Sequence, residues 1–122
     1  KNFNSRSDIK TYMSEVTQVI LTLLQNAEDI LLEKQTQNPY IKINTFEDDE
    51  YLYLQVIDNG GGIPQDILDK IFDPYFSTKH EKNGSGLGLY FAKSIIENNC
   101  DALLTVENNQ DEAIFTIRFK KE

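Results

Sequence analysis

The chain has 122 residues, 39% hydrophobic and 26% charged, the size and composition of one ordinary globular domain. A formal net charge of −8 excludes a non-specific nucleic-acid binder or a protein drawn to anionic membranes, so an anionic ligand has to be met locally, by a few Lys, backbone N–H groups or a metal. The single Cys100 allows no intrachain disulfide, no Cys/His cluster has zinc spacing, and neither a membrane span nor a signal peptide is present, which fits a reduced, cytosolic setting.

Residues 1–13 are polar and weakly patterned, and we read them as a connection or a short edge strand. From Ser14, a plausible N-cap followed by Glu15, the residues Val16, Val19, Ile20, Leu23, Leu24, Ala27, Ile30 and Leu31 recur at helical spacing. This helix is expected to end before Asn38-Pro39, because the residue before proline resists the α region. Strands over 40–47 and 51–58 follow, joined by the acidic turn Glu47-Asp48-Asp49-Glu50. In the first, Ile41, Ile43 and Thr45 face one side and Phe46 the other; in the second, Leu52, Leu54, Val56 and Asp58 share a face.

Pro64 suits the start of a short helix to about Lys70, and the aromatic run Ile71-Phe72-Asp73-Pro74-Tyr75-Phe76 comes next. Residues 77–85 lack apolar anchors and are expected to form a mobile loop. A second helix follows over about Leu89–Asn98, then strands Ala102–Glu107 and Ala113–Lys120 around a turn at 108–111. The order predicts an α/β sandwich with helices on one face of a largely antiparallel sheet.

Two clusters carry chemistry. Asp58-Asn59-Gly60-Gly61-Gly62-Ile63-Pro64 places a carboxylate at the end of an inward-pointing row, which is costly without hydrogen-bond partners. Three glycines beside it suit a close-lying flat or anionic ligand, or a plain turn. Gly84-Ser85-Gly86-Leu87-Gly88-Leu89 opens a helix as phosphate-binding loops do, or as a tightly packed helix entry does. It is neither a P-loop nor G-x-G-x-x-G, since position 89 is Leu. Asn26, in a core-facing helix, is either a boundary residue or an oxygen ligand for Mg²⁺.

Taken together these elements resemble the catalytic and ATP-binding domain of sensor histidine kinases, in the Bergerat-fold (GHKL) ATPase superfamily. Leu23–Ala27 matches the N box, Asp58–Gly62 the first glycine box, Ile71–Lys79 the F box and Gly84–Leu89 the second glycine box, over roughly residues 14–120. The resemblance implies an α+β, two-layer sandwich with a mixed, mostly antiparallel sheet under about three helices, as a domain spanning 14–122. It implies that Asp58 accepts a hydrogen bond from the adenine amine, that Gly60 and Gly62 let the base lie against the backbone, and that Ile63 forms an apolar wall. Asn26 would ligate Mg²⁺, residues 77–85 would form the lid hinged at Phe72 and Phe76, and Gly84, Gly86, Leu87, Gly88 and Leu89 would offer amides to the phosphates. Lys79 would reach the γ-phosphate. The domain would donate that phosphoryl group to a His on a separate dimerisation helix pair, with a response regulator downstream.

The sequence departs from the family pattern in places. Thr22 stands where the hydrolysing relatives carry a Glu base, which argues against ATP hydrolysis by this domain alone. Asp29 and Ile30 replace the common Lys and Tyr, and Asn99-Cys100-Asp101 replaces a Gly-Gly. His80, the single histidine, has no phosphoacceptor context. Two alternatives share the fold: an anti-sigma-type serine kinase, and a nucleotide-binding interaction module.

Overall fold

An apolar stripe at Val16, Val19, Leu23, Ala27 and Leu31 makes the first helix amphipathic, and its buried side is the roof of the core. In the computed structural model, which describes residues 5–76 and 87–121, this helix, α1, spans Arg6–Glu33. It therefore starts eight residues ahead of Ser14. Tyr12 continues the stripe one turn back and packs against the core, while Ser14 is exposed and inside the helix rather than its cap. Glu15 accepts a hydrogen bond from Asn99 Nδ2 at 2.7 Å instead of serving a first turn.

The helix also stops earlier than the proline signal suggests. Thr36 N–H donates to the Leu31 carbonyl and Gln35 N–H to the Leu32 carbonyl, both at 3.2 Å, with Gln35 at φ 51°. That is a Schellman stop with glutamine in the left-handed position where glycine is usual.

Four strands follow: β1 (Ile41–Glu47), β2 (Tyr51–Asp58), β3 (Ala102–Asn109) and β4 (Glu112–Lys120). Their order is β1-β2-β4-β3 and every pairing is antiparallel, so among the described residues the sheet is not mixed. The register stacks Val56, Phe115 and Val106, then Leu54, Ile117 and Leu104, on the face under the helices. Phe115, Leu104, Ile117 and Val56 are buried there with Val19 and Leu23 of α1. Ile41, Ile43 and Thr45 pair with Asp58, Val56 and Leu54 on that same face, as their alternation predicts. Yet β1 is exposed throughout, an edge strand outside the core cluster.

Before β3 comes α2 (Gly88–Ser94), which continues as a π-helical turn over Ile95–Asn99 and buries Ala92 and Ile96. The helix expected from Pro64 to Lys70 is instead a run of turns, with Ile67 N–H bonded to Pro64 O and Lys70 N–H to Ile67 O. The described residues thus hold two helices over the sheet rather than three. Ile71 and Phe72 fasten this turn segment down. Ile71 is buried, and Phe72 meets Phe115 edge-on at 6.2 Å.

Candidate functional site

The period of α1 lays out the site. Thr22, Asn26 and Ile30 stand four residues apart and so on one face, with roughly 6 Å of rise between successive members. At one end, a Cβ built on Gly88 would lie 3.6 Å from Thr22 Cγ2, so the start of α2 abuts α1 there. At the other, a Cβ on Gly60 would lie 2.7 Å from Ile30 Cγ2 and 3.6 Å from Leu31 Cδ2, so the glycine loop abuts α1 one turn beyond Asn26. Asn26, 6% exposed, lies between the loop after β2 and the N-terminus of α2. Three segments far apart in sequence thus meet along this face of α1.

Asp58 closes the inner row of β2 and is 1% exposed. Its Oδ1 accepts the Gly60 N–H at 2.9 Å, an Asx turn that bends the chain out of the strand. Across the sheet its neighbours in the row are Ile41, Ala113 and Asn108. Burial raises the Asp58 carboxyl above its ordinary range; the Gly60 N–H and the Lys34 ammonium pull it down, and Glu112 pushes it up. A buried acceptor with no ion pair of its own among the described salt bridges is suited to a neutral donor such as an aromatic amine.

The loop itself is held from two sides. Asn59 Oδ1 accepts the Tyr40 N–H at 2.8 Å and its Nδ2 donates to Asn38 O at 3.1 Å, tying the loop to the α1–β1 connection. Gly61 N–H donates to Asp111 O at 2.9 Å. Asn108 Oδ1 accepts the Ile63 N–H at 2.8 Å, and Asn108 Nδ2 donates to Ile63 O at 2.6 Å. Gly62, at φ 76°, is in the left-handed region that favours glycine, and a Cβ there would press on Asn108 Oδ1 at 3.2 Å. A cleft of about 500 Å³ opens behind this loop, between Tyr40 and Asp111, and neither Asp58 nor Asn26 lines it.

Gly60 yields the first test. It is buried, and its missing Cβ is the space Ile30 occupies. Gly60→Ala is expected to destabilise the fold by about 1–3 kcal/mol, the usual cost of overpacking, in urea unfolding followed by circular dichroism. An unchanged midpoint would mean that the loop does not bear on α1.

Of the remaining predicted residues, Ile63, Phe72, Phe76 and Leu89 are half-buried and pack against the core. Lys93 of α2 lies 5.0 Å over the Phe72 ring and also bonds Glu97 and the Leu104 carbonyl. Leu87 and Gly88 form the entry of α2, where Leu87 O accepts the Phe91 N–H at 2.9 Å. Lys79, His80, Gly84, Gly86 and the lid as a whole lie outside the described residues. Thr22 Oγ1 donates to Gln18 O at 3.0 Å, and Asp29 accepts from Gln25 at 2.9 Å. Asn59 and Asn108 carry no signal of their own in the sequence, where they stand within a glycine box and a turn.

The donor set suits a nucleotide that brings its own metal. Among the described residues no group of three or more His, Cys, Asp or Glu side chains could hold an ion. Asn26 offers one neutral carboxamide, which fits a cation whose other ligands are phosphate oxygens and water rather than protein. No described helix is long and apolar enough to cross a membrane.

Comparison with known proteins agrees with this geometry. Residues 13–122 match the model of the family described as histidine kinase-, DNA gyrase B-, and HSP90-like ATPase. The two-component sensor PprA of Pseudomonas aeruginosa is 34% identical over 116 residues, 93% of this chain and 12% of that protein. The sensor protein KdpD of Clostridium acetobutylicum is 34% identical over 113 residues, 89% of this chain and 12% of that protein. The chain thus spans 12% of the length of each of these curated relatives. Among solved structures, the nucleotide-free catalytic domain of histidine kinase ThkA superposes with a TM-score of 0.73 at 31% identity, covering 88% of this chain and 68% of that one.

Proposed function

The chain belongs to the histidine kinase-, DNA gyrase B-, and HSP90-like ATPases, as a sensor histidine kinase catalytic domain, and from that premise we propose that it binds Mg²⁺–ATP and donates the γ-phosphoryl group to a histidine on a separate dimerisation domain. The observation that carries this reading is the single line on α1 that joins Gly60, Asn26 and Gly88. Their order along the helix supports a reading in which adenine, metal and phosphates follow one another from Gly60 to Gly88.

In this reading Asp58 accepts the adenine amine and the backbone of Gly60 and Gly62 lies against the base, with Ile63 as the apolar wall. Asn26 supplies the protein's oxygen to the metal. Mg²⁺, when bound, neutralises charge on the phosphates. Leu87, Gly88 and Leu89 open α2 toward the phosphates, and Gly84, Gly86 and Lys79 complete that end. The chain's contribution to transfer is positioning and charge neutralisation. Thr22 spends its hydroxyl on its own helix and carries no base, which favours transfer to a protein over hydrolysis. The domain, residues 14–122, works in the cytoplasm without touching nucleic acid or membrane, and the parent chain passes the phosphoryl group on to a response regulator.

Mixing the chain with its parent's dimerisation domain and γ-labelled ATP tests the reading. Label is expected on the dimerisation domain, in an acid-labile, base-stable bond. Label retained as ATP, with Mg²⁺–ADP still bound, would leave a nucleotide-binding interaction module.

A further inference from the structure

We propose that Asn108, at the end of β3, is a positioning residue that sets the site's preference for an amino-substituted purine by fixing the peptide of Ile63. This rests on the reading of the loop as the adenine site.

The loop from Asn59 to Pro64 lies outside the regular elements, so its shape depends on what it is bonded to. Asn108 bonds to both polar atoms of one residue, accepting from Ile63 N–H and donating to Ile63 O. A carboxamide used this way replaces a paired strand, because it fixes the position and the rotation of that residue's backbone together. The anchor is rigid. Asn108 sits in the ladder opposite Ala113, and Ala113 sits opposite Asp58. Asp58 and Asn108, which holds Ile63, therefore stand in one row of the sheet, two strand spacings or about 10 Å apart. A further tie from the same hairpin tip holds the loop in register, Gly61 N–H to Asp111 O. A ligand that bonds Asp58 while lying along Gly62 and Ile63 meets both only if that spacing is kept. Loss of Asn108 lets Ile63 move relative to Asp58, and the amine bond is the most distance-sensitive part of the contact.

The chemistry makes graded variants available. Asn108→Leu keeps the branching of the side chain and loses both bonds. Asn108→Asp keeps the bond from Ile63 N–H and loses the one to Ile63 O. Each variant and the native chain are titrated with Mg²⁺–ADP and with Mg²⁺–IDP, which carries a 6-oxo group in place of the amine. Thermal midpoints are recorded alongside. The expected result is a roughly tenfold loss of ADP affinity in N108L and a smaller loss in N108D. IDP affinity should change little, so that the ADP-to-IDP ratio falls in the same order. If ADP and IDP weaken by equal factors, in step with the midpoint, Asn108 only holds the fold and the proposal is overturned. It is overturned equally if N108L binds ADP as the native chain does. Failure of the native chain to bind either nucleotide overturns it too, and that result alone also sinks the adenine reading. Should N108L not fold, N108D decides: a lowered ADP-to-IDP ratio supports positioning and an unchanged ratio overturns it.

Discussion

Replacing Asp58 by asparagine is expected to make the nucleotide-free domain more heat-stable while costing it about ten- to a hundredfold in affinity for ADP, the usual worth of a hydrogen bond to a charged acceptor. The two effects have one cause. Asp58 is 1% exposed, and its carboxyl is raised above the ordinary 3.8 mainly by burial. A raised acid binds its proton more readily in the folded state than in the unfolded one, so folding loses stability as pH climbs from the unfolded value through the folded one. Above the raised value the native domain carries that loss in full. The D58N variant does not, and its carboxamide oxygen still accepts from Gly60 N–H. The gap in thermal midpoint should therefore be small near pH 4, widen as pH rises, and level off above the raised value. A gap independent of pH would show that Asp58 is not ionised at a cost, and undiminished ADP binding by D58N would remove Asp58 from the site. The trade is a familiar one, in which a group kept for binding is unfavourable in the empty fold.

Asp58 was legible in the sequence for the same reason that it is costly. A carboxylate continuing the row Leu52, Leu54, Val56 has no packing justification, and the structure places it on the inner face as the alternation requires. The strands and the acidic turn between the first two were likewise carried by period and spacing. What escaped were features made by contacts remote in sequence or by residues acting out of type. Gln35 stops α1 in a conformation normally given to glycine, so a proline four residues later looked like the boundary. Tyr12 extends the buried stripe from within a polar stretch. Residues 64–72 have a helix-like start at Pro64 but make i to i+3 bonds instead, because Ile71 and Phe72 draw them onto the sheet. Asn59 and Asn108 look like turn residues, and only the folded chain shows each using both ends of its carboxamide on backbone far along the sequence.

Asn26→Ala is expected to reduce phosphoryl transfer by about a hundredfold or more while leaving metal-free ADP binding close to native. Asn26 is buried beside Leu23 and Ala27, where a polar side chain would ordinarily give way to an aliphatic one. It stands one turn from Thr22 and the entry of α2, and one turn from Ile30 and the glycine loop after β2. On the proposed reading, a cation arriving with the phosphates takes one protein oxygen, the Asn26 carboxamide, and completes its shell with phosphate oxygens and water. Removing that oxygen leaves adenine recognition at Asp58 untouched and detaches the phosphate end. The decisive measurement is the change in ADP affinity between Mg²⁺ and EDTA, for native protein, N26A and N26D. The native chain should bind more tightly with Mg²⁺, N26A should show no such gain, and N26D, which keeps an oxygen in place, should retain it. A full gain in N26A would assign Asn26 to helix packing alone, and the metal would then have to be held from the lid.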